Sequence, residues 1–293
     1  MLDAAVISLR FGFDHFLNSY EDADRLRQAV IDIHVGIELL LKERLLRESP
    51  LFVLDKIDEK AAIEAHLAKG EPPRSPRPDQ RTVGFEGALS RLESLGLLPK
   101  TVDRRRLTRL NQLRNELVHS GSSERLDEAL RLIAGDAVTF VDEFQREQLG
   151  TEPDRAFGTN PWASVRKVSA KVSDDAERAF QKKLAQHRER VATLSPKDLE
   201  DRQGTEIDFG VDETLKTQCP ACSADAYVGI IVEGPDEFED GVASGGGAYV
   251  SDLQCPVCEL HIEDAELDRF QYLADELLAE RYWSADPDDD RDR

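Results

Sequence analysis

Apolar residues recur at three- and four-residue steps through most of the first 149 positions, which is the pattern of amphipathic α-helices. The first helix is predicted at residues 2–17. The second is predicted to run from the acidic residues at 21–24 to about Glu48, ahead of Pro50. It is apolar on two sides, as expected for the central helix of a bundle. Further helices are predicted at residues 52–68, 82–95, 104–120 and 124–148.

The helix predicted at 104–120 carries polar side chains that its apolar stripe does not explain. Leucines at positions 107, 110, 113 and 117 form the stripe, and Ser120-Gly121 supplies the stop. Arg114 falls in the middle of the stripe, whereas Asn115 and His119 lie one turn apart on a neighbouring, more polar face. Because a guanidinium is costly to bury without a partner, the sequence predicts an acid or an anion beside Arg114.

The second helix also places charges on an apolar face. Glu38 and Lys42 project at about the same angle as its apolar residues, and His34 lies one turn before Glu38. A carboxylate and a guanidinium on facing helices can satisfy each other by paired hydrogen bonds. We therefore expect Glu38 to pair with Arg114, and we interpret His34 as a buried core or interface histidine.

Basic residues are concentrated in two places near the polar helix. Cations at a helix start oppose the helix dipole, so the arginines in its first turns are predicted to serve another purpose, the binding of RNA phosphates. These residues are Arg104, Arg105, Arg106 and Arg109. The proline-rich stretch at 71–78 contains Arg74 and Arg77 and precedes Arg81. It is predicted to be extended, either as a solvated loop or as an arm facing RNA.

The hexapeptide from Arg114 to His119 resembles the Arg-Asn-x-x-x-His signature of HEPN domains. These are all-α bundles found in many prokaryotic ribonuclease toxins and anti-phage proteins. The Gly-x-Glu-x-x-x-Lys pattern from Gly36 to Lys42 is similar to the second helix of that family. The resemblance covers residues 1–149.

This resemblance implies a homodimer in which two motif helices form one composite cleft. His119 would act as acid or base, Arg114 would bind and polarise the scissile phosphate, and Asn115 would orient them, with Glu38 in support. Metal-independent cleavage of RNA by such a site leaves a 2′,3′-cyclic phosphate and a 5′-hydroxyl. Histidine suits the proton transfer, and arginine suits the developing charge on phosphate. No cofactor is expected for catalysis.

All four cysteines lie in two Cys-Pro-x-Cys turns, separated by 32 residues. Two such turns complete a tetrahedral site for one metal ion, with Cys219, Cys222, Cys255 and Cys258 as ligands. The spacer has strand-like segments at 227–232 and 248–253, so the region resembles a zinc ribbon. Four thiolates leave no open position, and one structural zinc ion per chain is expected. Redox-active pairs are disfavoured because neither turn opens a thioredoxin-like βαβ unit.

The sequence thus predicts a mainly α protein in four parts. They are a HEPN-like antiparallel helical bundle at 1–149, a linker and helical connector at 150–212, a zinc ribbon with a β-hairpin and C-terminal helix at 213–284, and a disordered acidic tail at 285–293. Gly, Pro, Thr and Asp at 150–161 predict an irregular linker. Helices are predicted at 162–191, from Ser195-Pro196 onward, and at 263–283.

Charge and hydropathy narrow the class of protein. No window of 18 apolar residues exists, and Asp3, Arg10 and Asp14 argue against a signal peptide, so a cytoplasmic protein is expected. The net charge is −21, and residues 201–293, with 25 acidic and 6 basic side chains, account for −19. Because phosphate binding is mainly electrostatic, this third of the chain argues against a DNA-binding ribbon. It is either a solubilising face or a docking element.

Two functions remain open. The first is a metal-independent endoribonuclease, a toxin or anti-phage effector, which acts on RNA and has an antitoxin or other regulatory protein as partner. The second is a non-catalytic dimer, in which the bundle only dimerises and the ribbon docks another protein. The complete Arg-Asn-x-x-x-His set and the arginine-rich helix start favour the first. The overall acidity favours the second.

Overall fold

The computed structural model describes residues 1–19, 22–56, 80–99, 102, 104–120, 126–233 and 247–283. The chain divides into two compact units, Met1–Ala176 and Glu177–Arg293. The described residues are mainly helical, with a small antiparallel sheet in the second unit, which confirms the predicted fold class at this level. Within the described ranges, no helix has the length and apolar character needed to cross a membrane.

The first unit is a set of helices. They are α1 (Leu2–Leu17), α2 (Ala23–Glu48), α3 (Phe85–Ser94), α4 (Arg104–Ser120), α5 (Leu126–Arg131), α6 (Val138–Glu147), α7 (Pro153–Phe157) and the first half of α8 (Thr159–Ala192). A π-helical segment, Leu132–Ala137, joins α5 to α6. The predicted first helix (2–17), the predicted second helix (ending at about Glu48) and the helix predicted at 104–120 are confirmed. Asp22 caps α2 by accepting a hydrogen bond from the Arg25 backbone N–H.

Helix α2 is the centre of the bundle, as its two apolar sides predict. It contacts α1, α3, α4 and α5. Glycines allow α1 and α2 to cross closely, since a Cβ at Gly12 would lie 2.6 Å from Ile33 Cγ1 and a Cβ at Gly36 would lie 2.4 Å from Leu9 Cγ. The Gly36 of the family-like pattern therefore has a packing role.

Two segments of the first unit differ from the prediction. Residues Pro50–Val53 form a 3₁₀ turn and Leu54 forms an isolated bridge with Thr82, so the start of the helix predicted at 52–68 is wrong. Ser49 caps this turn by accepting from the Leu51 backbone, which ends the α-helical path. Residues 57–79, with the proline-rich stretch, lie outside the described part of the chain.

The segment 150–161, predicted as an irregular linker, contains α7 and the start of α8. Pro153 occupies the first turn of α7, where a missing N–H does no harm. Phe157 packs edge-on against Phe13, with ring centroids 5.5 Å apart, and lies 5.1 Å from the ring of Trp162. These aromatic residues anchor the segment in the bundle core, and this anchoring overrides its glycine- and proline-rich composition.

The second unit combines helices with an antiparallel sheet. Its elements are the second half of α8, α9 (Pro196–Gln203), β1 (Glu213–Gln218), β2 (Asp225–Glu233), β3 (Gly247–Gln254), β4 (His261–Ile262), a 3₁₀ segment (Asp264–Phe270) and α10 (Gln271–Trp283). The sheet order is β1-β2-β3-β4. The strands predicted at 227–232 and 248–253 pair as β2 and β3, whereas β1 and β4 were not predicted.

The connector predicted at 150–212 is shared between the two units, because the boundary between them falls within α8. In the first unit, Trp162 and Val165 belong to the bundle core. In the second unit, Phe180 and Leu184 belong to the core that surrounds the cysteines. Each half of α8 thus packs on the core of its own unit.

We expect Gly36→Ala to lower the free energy of unfolding of the bundle by about 1–3 kcal/mol, because an overpacked core must shift its neighbours. The added methyl group would overlap the buried Leu9 side chain. Urea denaturation followed by helical circular dichroism measures the change. Gly135→Ala is the matched control, since a Cβ there meets no atom within 4 Å. Equal stability of the two variants would contradict the close crossing.

Candidate functional site

The arginines in the first turns of α4 are held by other parts of the bundle. Three of them form ion pairs with carboxylates on neighbouring elements. The pairs are Arg104 Nη1 with Glu93 Oε2 (2.5 Å), Arg106 Nη1 with Asp136 Oδ1 (2.6 Å) and Arg109 Nε with Glu128 Oε1 (2.5 Å). Arg105 is exposed and, like the other three arginines, is not without an interaction partner in the structure. These contacts anchor α4 and partly neutralise its basic start, so RNA binding by this cluster stays a prediction.

Arg114, later on the same helix, is in a different situation. Its Nη1 donates a hydrogen bond to Asn115 Oδ1 at 2.9 Å. Its Nε is buried and has no hydrogen-bond partner among the described residues. No described carboxylate lies within ion-pair distance of its guanidinium, unlike those of Arg104, Arg106 and Arg109. Arg114 is therefore a half-buried cation whose observed partner is neutral.

The expected pair between Glu38 and Arg114 is not formed. Glu38 Oε1 instead accepts from Lys42 Nζ at 2.6 Å, and Lys42 also donates to Thr82 Oγ1 at 3.1 Å. Lys42 is only 8% exposed, so it needs a counter-charge of its own. A glutamate one turn before a lysine on the same helix supplies this charge locally. Glu38 thus supports Lys42.

His34 lies in the bundle core at 3% exposure, which confirms its interpretation as a buried histidine. Its ring stacks on Phe85 with centroids 4.5 Å apart, and its Nε2 lies 2.8 Å from Asn111 Oδ1. Asn111 Nδ2 donates to Glu86 Oε1 at 3.0 Å, and Thr108 Oγ1 donates to Glu86 Oε2 at 3.1 Å. A polar chain therefore runs from α2 to α3 through α4.

The direction of these hydrogen bonds assigns the tautomer of His34. Since Asn111 donates through its nitrogen to Glu86, its oxygen must accept, and His34 Nε2 carries the proton. The Nδ1 lone pair is buried and has no hydrogen-bond partner among the described residues. Sequence reasoning missed Asn111 and Glu86. The available signal was the polar series at 108, 111 and 115, which follows helical spacing beside the leucine stripe.

Burial is the main influence on His34 and lowers the pKa of its ring below the ordinary value. The hydrogen bond to Asn111 and the negative charge of Glu38 raise the pKa, and the positive charge of Arg114 lowers it further. Glu38 and Arg114 thus both act electrostatically on His34. We conclude that His34 is neutral in the folded bundle at neutral pH.

The three residues of the family signature are only partly described. Arg114 and Asn115 are adjacent and hydrogen-bonded to each other. His119 lies within α4, one turn after Asn115 along the backbone. Its side chain lies outside the described part of the structure. The structure therefore brings the guanidinium and the amide together and leaves the position of the imidazole as a prediction.

The four cysteines form the second candidate site. Their Sγ atoms all lie within 4.8 Å of one another. Cys219 Sγ lies 3.6 Å from Cys258 Sγ, and Cys222 Sγ lies 3.6 Å from Cys255 Sγ. Four sulfurs at ~2.3 Å from a tetrahedral ion would be about 3.8 Å apart. The cluster is therefore compatible with a structural metal site, as the spacing of the turns predicts.

The two Cys-Pro-x-Cys turns have the same backbone geometry. In the first, the Ser223 N–H donates to Cys219 O at 2.9 Å, and in the second the Glu259 N–H donates to Cys255 O at 2.9 Å. Ser223 and Glu259 both have positive φ, 62° and 58°. This repeated geometry directs both thiols of each turn to the same side, where they meet the thiols of the other turn.

Hydrogen bonds among the thiols shift the pKa values of Cys219, Cys255 and Cys258 in different directions. The contact with Cys219 lowers the pKa of Cys255 to about 2, and the same contact raises the pKa of Cys219 to about 12. The contacts with Cys219 and Cys255 raise the pKa of Cys258. Sulfurs this close together cannot all ionise without a positive charge between them. A bound metal ion supplies that charge and favours the ionised form of every ligand.

We expect the bundle to lose stability as the pH falls below about 6.5, the ordinary pKa of histidine. The pKa of His34 is lowered by folding, so the unfolded chain binds a proton that the folded state resists. Its contribution is present above this pH and is lost as the pH falls. His34→Gln should flatten the pH dependence of the unfolding free energy, measured in urea between about pH 5 and 7.5. His15→Gln, at a ring 31% exposed, is the control. Parallel curves for wild type and His34→Gln would contradict this assignment.

Comparison with known proteins adds no relative. The chain matches no protein-family model, no curated protein and no solved structure. The resemblance to HEPN domains therefore rests on the residues of α2 and α4 described above.

Proposed function

We propose that this protein is a metal-independent endoribonuclease of the HEPN type, which acts as a toxin or an anti-phage effector. One observation carries the proposal. Arg114 is a half-buried guanidinium that bonds to Asn115 and has no carboxylate partner among the described residues. A cation in this state is available to an anion from outside the bundle, and RNA phosphate is an anion that arginine binds well.

In the proposed mechanism, cleavage begins with attack of the ribose 2′-hydroxyl on the adjacent phosphorus. A base removes the hydroxyl proton, the bond to the 5′-oxygen breaks, and an acid protonates the leaving oxygen. His119 is assigned to proton transfer, and Arg114 to the charge that develops on the phosphate. Asn115 orients the guanidinium through its 2.9 Å hydrogen bond. The products are a 2′,3′-cyclic phosphate and a 5′-hydroxyl.

His34 has a supporting role in this proposal. Its ring is too deeply buried to reach a substrate, and its hydrogen bond goes to Asn111 on α4. Asn111 lies one turn before Asn115 and three residues before Arg114. The polar chain from His34 to Glu86 therefore fixes the rotation of α4, and with it the direction in which Arg114 and Asn115 project.

The active form is proposed to be a homodimer. Arg114 and His119 are five positions apart in sequence, and five helical residues correspond to about 140° around the helix axis, so one copy makes a poor cleft. A second copy of α4 across a two-fold axis would supply the missing group. Val118, next to His119, is 46% exposed and offers an apolar contact for that partner. An antitoxin or another regulatory protein would restrain the activity in the cell.

For the second unit we propose a structural zinc ion held by the four cysteines. Thiolate ligands in tetrahedral arrangement favour Zn²⁺, and four of them leave no coordination position for a substrate. When bound, the ion holds the two Cys-Pro-x-Cys turns together. We propose no catalytic step at this site.

We expect one zinc ion per chain by native mass spectrometry of the purified protein. Cys255→Ser should remove the ion and unfold the sheet around it, because structural zinc supplies the folding free energy of its own module. Most of the helical circular dichroism should remain. Ser251→Ala, in β3 close to the same turn, is the control that should keep its zinc. Absence of zinc from wild type, or global unfolding of Cys255→Ser, would contradict this assignment.

The second candidate function is a non-catalytic dimeric protein that mediates interaction or regulation. The ion pairs of Arg104, Arg106 and Arg109 favour it, because arginines neutralised within the bundle contribute less to an RNA-binding surface. The strongly acidic residues 201–293 favour it as well. In this case Arg114 would contact a partner protein, and no RNA would be cleaved.

Cleavage of RNA by the purified dimer decides between the two functions. His119→Ala should reduce cleavage on the order of 10²-fold or more, with an unchanged melting temperature and an unchanged mass by light scattering. Arg114→Gln should also remove cleavage. It should cost little stability, because Glu38 keeps Lys42 as its partner. Fragments are scored for cyclic phosphate ends, and EDTA should have no effect on their yield.

Arg166→Gln, an exposed position on α8, is the control for the loss of a positive charge and should cleave as wild type does. Equal cleavage by wild type and His119→Ala would rule out the proposed chemistry. A monomer at micromolar concentration would rule out the composite cleft. If the dimer forms and cuts no RNA in the presence of candidate activators, the non-catalytic function takes its place.

A further inference from the structure

The second half of α8 and the short helix α9 donate hydrogen bonds to the backbone of both cysteine turns. Arg188 Nε donates to Ala221 O at 2.9 Å. Arg202 Nη1 lies 3.2 Å from Val257 O. His187 Nδ1 lies 2.8 Å from Cys258 O, and because a carbonyl only accepts, this ring nitrogen carries the proton.

The two arginine contacts are made at equivalent places. Ala221 and Val257 both occupy the variable position of Cys-Pro-x-Cys, directly before the second cysteine of each turn. Their carbonyl groups belong to the peptide planes that set the direction of Cys222 and Cys258. The donors come from different helices, Arg188 from α8 and Arg202 from α9. Two separate elements therefore make the same contact to the two halves of one cluster.

The residue after the second turn is held by the same helices. Glu259 has φ of 58°, a left-handed conformation that is unfavourable for a residue with a Cβ atom. Its carboxylate forms ion pairs with Arg190 of α8 and with Arg202 of α9, the latter at 2.6 Å. These contacts help to hold the turn in the geometry that directs its thiols toward the first turn.

Further contacts extend this arrangement along one face of α8. Glu177 pairs with Arg269 at 2.6 Å, Lys183 pairs with Glu266 at 2.6 Å, and the Arg269 guanidinium lies 4.4 Å from the centre of the Phe180 ring. Leu184 is buried among the residues that surround the cysteines. The second half of α8 therefore packs on the cysteine module over several helical turns.

Charge supplies the physical reason for this arrangement. A divalent ion with four thiolates carries a net charge of about −2, and partners around a metal centre tune its affinity by orienting the ligands. Cationic donors at the carbonyl groups beside the second cysteines would both orient the turns and offset this charge. Among the described residues, Arg188 forms no ion pair, so its contact with Ala221 is not a by-product of a nearby carboxylate.

We propose that residues 177–203 are an integral part of the metal centre, in which Arg188 and Arg202 are positioning residues that hold the two cysteine turns at the separation a metal ion requires. The dependence is reciprocal, because a segment that stabilises the metal-bound state is itself stabilised by the metal. Removal of the ion separates the turns, and α8 and α9 then lose acceptors for their hydrogen bonds. The metal module therefore begins at residue 177 and not at the first strand.

The first test measures zinc affinity of the full chain by competition with a chromophoric chelator. Arg188→Met and Arg202→Met keep an apolar stem and remove the donor, and each should weaken zinc binding on the order of ten-fold. The double variant should weaken it further. Lys182→Met is the control, since Lys182 is exposed on the same helix and the described residues give it no hydrogen bond or ion pair. Both arginine variants binding zinc as tightly as Lys182→Met would overturn the positioning role.

The second test needs no variant. Backbone hydrogen exchange of the wild-type chain is compared with zinc bound and after zinc is removed by a chelator. Residues 181–203 should lose protection when zinc is removed, whereas α2 should exchange at the same rate in both states. Unchanged protection of residues 181–203 would overturn the proposal even if the arginine variants failed to fold. The inference rests on the structural zinc ion proposed above: a wild-type chain that binds no zinc would overturn the metal centre itself, whereas unchanged zinc affinity of the arginine variants would overturn only the positioning role. Neither test measures RNA cleavage, so their outcome is independent of the proposed nuclease activity.

Discussion

The central position of α2 is the constraint on which the bundle depends. A helix covered on several sides must find a partner inside the protein for every polar side chain that it buries. His34 Nε2 is satisfied by Asn111 of α4, and Lys42 is satisfied by Glu38 and by Thr82, three residues before α3. These bonds fix how α3 and α4 lie on α2. Helix packing by apolar residues alone leaves rotation about the helix axis less well determined.

The rotation of α4 then decides what each of its arginines can do. Arg104 and Arg106 face Glu93 and Asp136 and complete ion pairs within the bundle. Arg114 faces no described carboxylate and lies close enough to His34 to lower the pKa of its ring. A positive charge beside a neutral histidine is tolerated, whereas beside a protonated one it would be repelled. The low pKa of His34 and the unneutralised charge of Arg114 thus belong to the same arrangement.

The features that the sequence predicted well are those determined by local interactions or by metal chemistry. Apolar periodicity gave the bounds of α1 within a residue, and the two Cys-Pro-x-Cys turns gave the sulfur cluster. The pairing of Glu38 with Arg114 was wrong because a partner four residues away on the same helix was available. The pattern of apolar and polar helix faces does not show whether Glu38 pairs with a residue on its own helix or with a residue on another helix. The packing of the bundle decides between these two partners.

The unpredicted elements depend on contacts that lie far apart in sequence. Strand β1 is half-exposed and polar, and its pairing with β2 defines it as a strand. Helix α7 exists because Phe157 reaches the ring of Phe13, although its composition is that of a loop. The contacts of Arg188 and Arg202 with the cysteine turns depend on which faces of two helices meet the metal site. Helical periodicity gives the faces of a helix but does not identify their partners.

Each unit contains an arginine that has no carboxylate partner among the described residues, although the chain has 59 acidic and 38 basic side chains. In such a chain carboxylates are plentiful, so the local packing must separate them from an arginine that forms no ion pair. Arg114 donates a hydrogen bond to a side-chain amide, and Arg188 donates one to a backbone carbonyl. In both cases a neutral oxygen orients the guanidinium and does not neutralise its charge. At Arg188 that charge lies beside a cluster of sulfurs that become negative when they bind a metal. Among the described residues no carboxylate lies within ion-pair distance of Arg114, and this difference is the physical reason to look for an external anion at α4.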